Sequence, residues 1–268
     1  MIVFRRIFTA LVLVVALTGM ACPADAAPRR VLLSGHVAWT PTLLPNLGGW
    51  YKADAGTFSD ASCSIPAVAA GPLGCWKDQS PSGANLTLIT TAPIYNTGVL
   101  NGLPVVTAPN AGKMSSGTFA LGGNVVSVFM VIRSTGVGGG SSRTIAFGVG
   151  GSDTGASAFI AAYFPSQTTP TTFNVANKSS ATIVASSWNE LGTIFDGTNN
   201  IFYLNNVPQT PVAATPTFAA TGNLFLFISA SGANLFAGDV AEIIICKGAL
   251  GASDRANIHA YFARKWGV

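Results

Sequence analysis

Phe195-Asp196-Gly197-Thr198-Asn199-Asn200-Ile201-Phe202-Tyr203-Leu204-Asn205-Asn206 (195–206) holds a short apolar and aromatic run between two polar pairs, Asp-Gly and Asn-Asn. Both pairs tolerate the positive φ that tight hairpin turns require, and Ile, Phe and Tyr suit a pleated, half-buried strand. The segment therefore reads as a strand, 201–204, set between two reversals of the chain. Outward from it the pattern repeats. Runs of Val, Ile, Phe, Thr and Tyr at 86–89, 104–107, 125–133, 143–148, 158–164, 171–175, 190–195, 223–228 and 239–246 alternate with clusters of Gly, Asn, Ser and Pro. Many short strands joined by turns predict an all-β protein, and helix is too scarce for an α/β fold.

One helix is expected, at 253–266. Ser253 is placed to cap it and Asp254 suits its positive first turn. Ile258, Tyr261, Phe262 and Trp266 recur at three- to four-residue spacing, and Gly267 stops it. Its apolar stripe predicts packing on the outside of a sheet, with His259 on the more exposed side as a surface histidine.

Composition narrows the function classes. The 268 residues are 49% hydrophobic but only 9% charged, well below the roughly 25% usual for a soluble chain, so Ser, Thr, Asn and Gly must meet the water. The net charge of +4 comes from scattered side chains with no Lys/Arg run, which argues against nucleic acid as a partner. Two His and two Glu (Glu190, Glu242) leave little for acid/base chemistry. The glycines at 138–140 and 148–151 lack the Lys and Ser/Thr of a phosphate-binding loop.

The chain opens with Arg5 and Arg6, an apolar run from 7 to 17, and Ala24-Asp25-Ala26. This reads as a secretory signal peptide, 1–26, cleaved after Ala26. The run is shorter than the ~20 residues a spanning helix needs, so no stable membrane anchor is expected after cleavage. A lipoprotein signal using Cys22 is the minority alternative, since Gly19-Met20-Ala21 lacks the Leu or Val that such signals usually carry three residues ahead. A Pro-containing leader, 27–46, then precedes a domain at 47–268. Export places the protein outside the cytoplasm, extracellular or periplasmic, where Cys63 and Cys75 can pair and staple their loop. Cys246, after three isoleucines, reads as a buried, unpaired thiol.

Several separated segments share one order with a known family. They are Gly49-Trp50-Tyr51-Lys52-Ala53-Asp54, Trp76-Lys77-Asp78-Gln79-Ser80 with Gly83 and Asn85, Asn101-Gly102-Leu103-Pro104, Gly238-Asp239-Val240-Ala241-Glu242, and Ala263-Arg264-Lys265-Trp266-Gly267. Together they resemble the laminin-G-like, concanavalin A-like jelly-roll domains of bacterial secreted and phage structural proteins, over about 47–268. The resemblance implies a two-sheet antiparallel jelly-roll sandwich with one C-terminal helix packed on it, and rim loops available for carbohydrate, protein or calcium. The glucanases of that superfamily carry Glu-x-Asp-x-x-Glu on a strand, and this chain has no such motif.

The residues themselves point the same way on catalysis. Glycoside hydrolysis normally takes two carboxylates about 5–9 Å apart. Asp239 and Glu242 are three positions apart on one predicted strand, which directs them to opposite faces; one is expected buried and hydrogen-bonded, the other on the surface. The leading expectation is a secreted, non-enzymatic module that binds carbohydrate or a cell-surface (envelope) polymer, because sugars are gripped by aromatic faces with amides and hydroxyls beside them. Tyr163, Phe164, Asn174, Asn177 and Trp188 lie at or near strand ends and are the candidate binding residues. A structural or adhesive envelope protein making protein contacts is the alternative, and a secreted hydrolase the weaker one. No cofactor is expected. Calcium, if it binds weakly, has Asp196, Asn199 and Asn200 as its nearest oxygen donors.

Overall fold

The computed structural model describes residues 38–268 except 109–111, 138–141, 144, 149–158, 165–169, 174–179, 214–220 and 228–235. The signal peptide reading and the first part of the leader lie outside the described residues. Two antiparallel sheets and a C-terminal helix make up the described chain. In the first sheet the principal strands are β1 (Leu47–Lys52), β2 (Ile94–Leu100), β3 (Leu103–Ala108), β4 (Val126–Val137), β5 (Asn189–Phe195), β6 (Asn199–Leu204) and β7 (Phe236–Cys246). Their order is β6-β5-β4-β7-β3-β2. β4 runs along one edge of β7; the other edge is divided between β3, which pairs with 238–240, and β1, which pairs with 242–246. The second sheet includes Thr57–Phe58, Cys75–Trp76, Leu86–Leu88, Met114–Ser115, Ile145–Gly148, Phe159–Phe164 and Thr221–Leu226. Each strand run expected from sequence overlaps a strand of these sheets.

Period-two alternation assigns the faces. Along β4, Val126, Val128, Met130 and Ile132 enter the core with Trp76, Leu86, Met114 and Leu226 of the second sheet. Phe129 and Val131 point the other way, into a second core with Ile258, Tyr261, Phe262 and Trp266. β4 is thus buried on both faces, which is why its sequence is a near-continuous apolar run rather than an alternating one. The second core lies beneath α1 (Ala252–Trp266). Leu44 is buried in it and Trp39 packs against it, so residues 38–46 belong to the compact unit, which begins at Ala38.

One local expectation is corrected at the helix. Its N-cap is Gly251, with no side-chain cap, and Ser253 sits inside the first turn. Gly267 does stop it, at φ 75°, returning its N–H to the Ala263 carbonyl. The turn at 205–206 has φ of 48° and 63° and joins β6 to Val207–Pro208, as Asn-Asn predicts.

A larger correction concerns β7. Val131 of β4 faces Glu242 and the next residue, Ile132, faces Val240, so Ala241 is an extra residue in the ladder. Such a bulge shifts the face parity of everything beyond it. Asp239 and Glu242 therefore both lie on the helix-side face of the sheet, and both are buried. The expectation of one buried and one surface carboxylate holds only for a regular strand.

Glu242 is the polar centre of the helix–sheet core. Oε1 accepts from Trp50 Nε1 (2.5 Å) and the Tyr261 hydroxyl (2.9 Å), and Oε2 accepts from Trp266 Nε1 (2.8 Å) and Lys265 Nζ (2.7 Å). A buried carboxylate costs much free energy unless paired and hydrogen-bonded; here four donors meet it. The Trp76-Lys77-Asp78-Gln79-Ser80 segment is likewise architectural. Asp78 accepts from the backbone N–H groups of Trp50, Ser80 and Ala84 and from the hydroxyls of Ser80 and Ser82, tying its own loop to β1.

Candidate functional site

The helix does not cover the whole outer face of the first sheet. One row beyond its edge, Arg133 of β4, Asp239 of β7 and Thr107 of β3 stand in register. Arg133 reaches Asp239 Oδ2 through Nε (2.8 Å) and Nη2 (2.6 Å). The Thr107 hydroxyl donates to Asp239 Oδ1 (2.5 Å), and Asn96 Nδ2 donates to Thr107 Oγ1 (2.8 Å). At the other end of the row the Arg133 guanidinium lies over the Trp188 ring, 4.9 Å from its centroid. From β2 to β5 the row crosses four strand spacings, roughly 19 Å.

Exposure divides the row into support and contact. Asp239 is buried at 3% and its oxygens are occupied, so it fixes its neighbours instead of meeting a ligand. The Arg133 side chain is 31% exposed, and Trp188, Thr107 and Asn96 are half-buried. An indole braced by a guanidinium, followed by a hydroxyl and an amide, can stack on an apolar ring face and hydrogen-bond a polar edge.

Glu190 borders this row, on β5 opposite Val131. Its Oε2 lies 2.6 Å from His259 Nδ1 of the helix, and its Oε1 is buried with no hydrogen-bond partner among the described residues. Burial pushes the Glu190 carboxyl above its usual range, and the hydrogen bond and charge of His259 only partly oppose it. His259, expected as a plain surface histidine, is half-exposed and paired with a buried carboxylate. Sequence reading missed the pair because its members are 69 residues apart and meet only when the helix lies on β5.

The remaining sequence candidates fall elsewhere. Trp188 is the one the structure brings to the row. Tyr163 and Phe164 end the strand Phe159–Phe164 in the second sheet, while Asn174 and Asn177 lie outside the described residues. Asp196 is committed to its own turn, accepting from the N–H groups of Thr198 and Asn199 and from both their side chains. Burial raises the Asp196 carboxyl, but these hydrogen bonds outweigh it and hold the group below its ordinary pKa. Asn199 is half-buried and Asn200 fully buried. Among the described residues, no three His, Cys, Asp or Glu side chains gather as metal ligands. Cys63 and Cys75 form a disulfide, and Cys246 is buried and free.

No family model matches the chain, and no curated protein matches its sequence. Solved structures do match its fold. Domain 4 of an extracellular GH43 arabinanase from Geobacillus stearothermophilus, in complex with arabinotriose, superposes with a TM-score of 0.55 at 12% identity, covering 80% of this chain and 98% of that domain. A GH54 α-L-arabinofuranosidase gives 0.54 at 15% identity, over 72% of this chain and 52% of that one. The receptor-binding domain of botulinum neurotoxin type G gives 0.54 at 11% identity, over 81% and 51%. The chain thus spans one whole domain of the first and about half of the other two. At these identities the likeness is one of fold: a β-sandwich compatible with a lectin-like jelly roll, found in carbohydrate-active and binding proteins alike.

Proposed function

We propose that the protein is an exported recognition module that binds a saccharide or saccharide-bearing envelope polymer without cleaving it, through the outer row of the first sheet. The observation that carries this reading is the Trp188–Arg133 platform, continued along the same row of the sheet by Asp239, Thr107 and Asn96. An aromatic face with fixed hydroxyl and amide neighbours is the chemistry that grips sugars. The fold shared with a domain solved with arabinotriose supports the ligand class, and the sequence resemblance to laminin-G-like jelly rolls agrees with it.

Two observations support a binding role over hydrolysis. Asp239 and Glu242, the pair that sequence sets closest, are buried and bound to other groups, and Glu190 is 1% exposed. None of them presents a carboxylate to a substrate on the open row. Export is supported by the Cys63–Cys75 bridge, since such bonds persist in oxidising compartments. Among the described residues no helix is long and apolar enough to cross a membrane. The deciding experiment is a glycan array with the exported protein, with and without calcium, followed by a reducing-sugar assay on every ligand found. Binding without sugar release is expected. Release of reducing ends overturns the non-enzymatic reading, and silence across the array overturns the saccharide reading in favour of a structural protein.

A further inference from the structure

At the opposite end of the same strands lie two clefts of different build. Six residues along β4 separate Ser127 from Arg133, roughly 20 Å, so this rim is remote from the Trp188 row. The clefts meet there on either side of Asn46. One, of about 500 Å³, is lined by Thr42, Leu44, Gln79, Ser80 and Pro81; the other, of about 320 Å³, by Gly122, Gly123, Asn124 and Lys247.

The walls are held from several directions. Asn46 has a left-handed backbone, φ 54°, which asparagine adopts more readily than most residues. Its carbonyl accepts the Lys247 N–H at 2.9 Å. Ser127 fixes the segment after Lys247, donating to the Gly248 carbonyl (2.7 Å) and accepting from the Leu250 N–H (3.0 Å). Ser82 ties the Asp78 loop to the same place by donating to the Gly48 carbonyl (2.8 Å). Gly48 makes room for the lysine, because a Cβ there would stand 2.8 Å from Lys247 Cγ and Cε. The missing side chain lets the lysine stem lie flat along β1, which limits where the ammonium can go.

Charge gives the site its sign. Among the described residues, Lys247 is the cation that lines the clefts, and no carboxylate lines either. Its ammonium has no ion-pair partner among the described residues. The neutral groups around it, the Asn46 amide and Gln79 on one side and the Gly122-Gly123 backbone on the other, are suited to hydroxyls. We infer that this rim groove is a second binding site, for an oxyanion-bearing saccharide chain, with Lys247 pairing the anion and Asn46 contacting the chain as it passes between the clefts. A carboxylate of a uronic acid and a sulfate ester present the same chemistry to an ammonium.

The test uses the whole exported chain and backbone amide shifts in solution. The probes are tetragalacturonate, the neutral galactotetraose, a sulfated galactan oligosaccharide and inorganic sulfate. Shifts are expected at Asn46, Gly122, Gly123 and Lys247 with one or both acidic oligosaccharides, weakening as salt rises, and the stronger of the two identifies the anion. Lys247→Gln is expected to weaken that binding about tenfold or more while Lys247→Arg keeps most of it. Trp188→Ala should leave it unchanged, which separates this site from the sheet-face site. Equal binding of galactotetraose, no shifts at the rim with either acidic probe, or full binding by Lys247→Gln would each overturn the inference. If inorganic sulfate alone binds as tightly as the oligosaccharides, the chain contact is refuted.

Discussion

The indole of Trp266 donates to Oε2 of Glu242 at 2.8 Å, joining the last residue of the helix to the central strand of the sheet. Three other donors share that carboxylate, so the helix is attached by a polar anchor as well as by its apolar stripe. Burial and the Glu242 carboxylate both push the Tyr261 phenol well above its ordinary pKa, so it remains a hydrogen-bond donor at any working pH. Glu242→Gln presents an amide NH₂ to some of these donors and leaves Lys265 paired only with the more exposed Asp54. A loss of about 3–5 kcal/mol is expected, read as a lower urea midpoint. Trp266→Phe, which removes one charge-assisted bond, should cost about 1.5–3 kcal/mol. A Glu242→Gln variant as stable as the parent would show that packing alone holds the helix.

Glu190 gives a pH dependence of definite sign. A carboxyl whose folded-state pKa lies above its unfolded value binds its proton more tightly in the fold. It contributes stability below the unfolded pKa, and that contribution is lost as pH rises through the raised one. For Glu190 the window opens near its ordinary value of 4.5 and extends upward. Glu190→Gln should flatten the stability curve across that window. Chemical denaturation at a series of pH values measures it, and an unchanged slope would mean that His259 compensates the buried charge in full.

The three cysteines of the domain should behave in two ways. The Cys63–Cys75 loop, with a sequence separation of 12, is expected to contribute about 3 kcal/mol by restricting the unfolded chain. Cys63→Ser with Cys75→Ser should lower the melting temperature accordingly. Burial, with a smaller push from Asp254, raises the Cys246 thiol to about 12, so iodoacetamide should label it only after unfolding. Labelling of Cys246 in the native protein at neutral pH would contradict its placement.

Trp188→Ala removes the stacking face of the sheet row. Saccharide binding is expected to weaken by about 1–2 kcal/mol, with a smaller loss of stability than Glu242→Gln causes, because Trp188 is half-buried at the edge of the helix core. Arg133→Lys should keep the charge but lose the planar stack and the two bonds to Asp239, and so weaken binding as well. Isothermal titration with the best array ligand measures both, and parent-like affinity in both variants would move the site off this row.

Local pattern was enough for many of the elements, though not for β1 (Leu47–Lys52) or β2 (Ile94–Leu100). Runs of β-branched and aromatic residues between turn clusters marked strands, Asn205-Asn206 marked a hairpin, the spacing of Ile258, Tyr261, Phe262 and Trp266 marked the helix, and the nearness of Cys63 to Cys75 marked the bridge, because each depends on neighbours in the chain. Which side chains meet across the fold was open until the sheets and helix were in place. Ala241, one extra residue in a ladder, turns Glu242 to the same face as Asp239, and no local pattern separates Val240-Ala241-Glu242 from a regular strand. Trp50 finds Glu242 across 192 residues, and Glu190 finds His259 only after the helix has settled on β5. Trp188 stands in one row with Arg133, Asp239 and Thr107 only through three separate strand pairings. Such contacts are set by register and by the order of strands in the sheet, which depend on the packing of the whole core and not on any one segment.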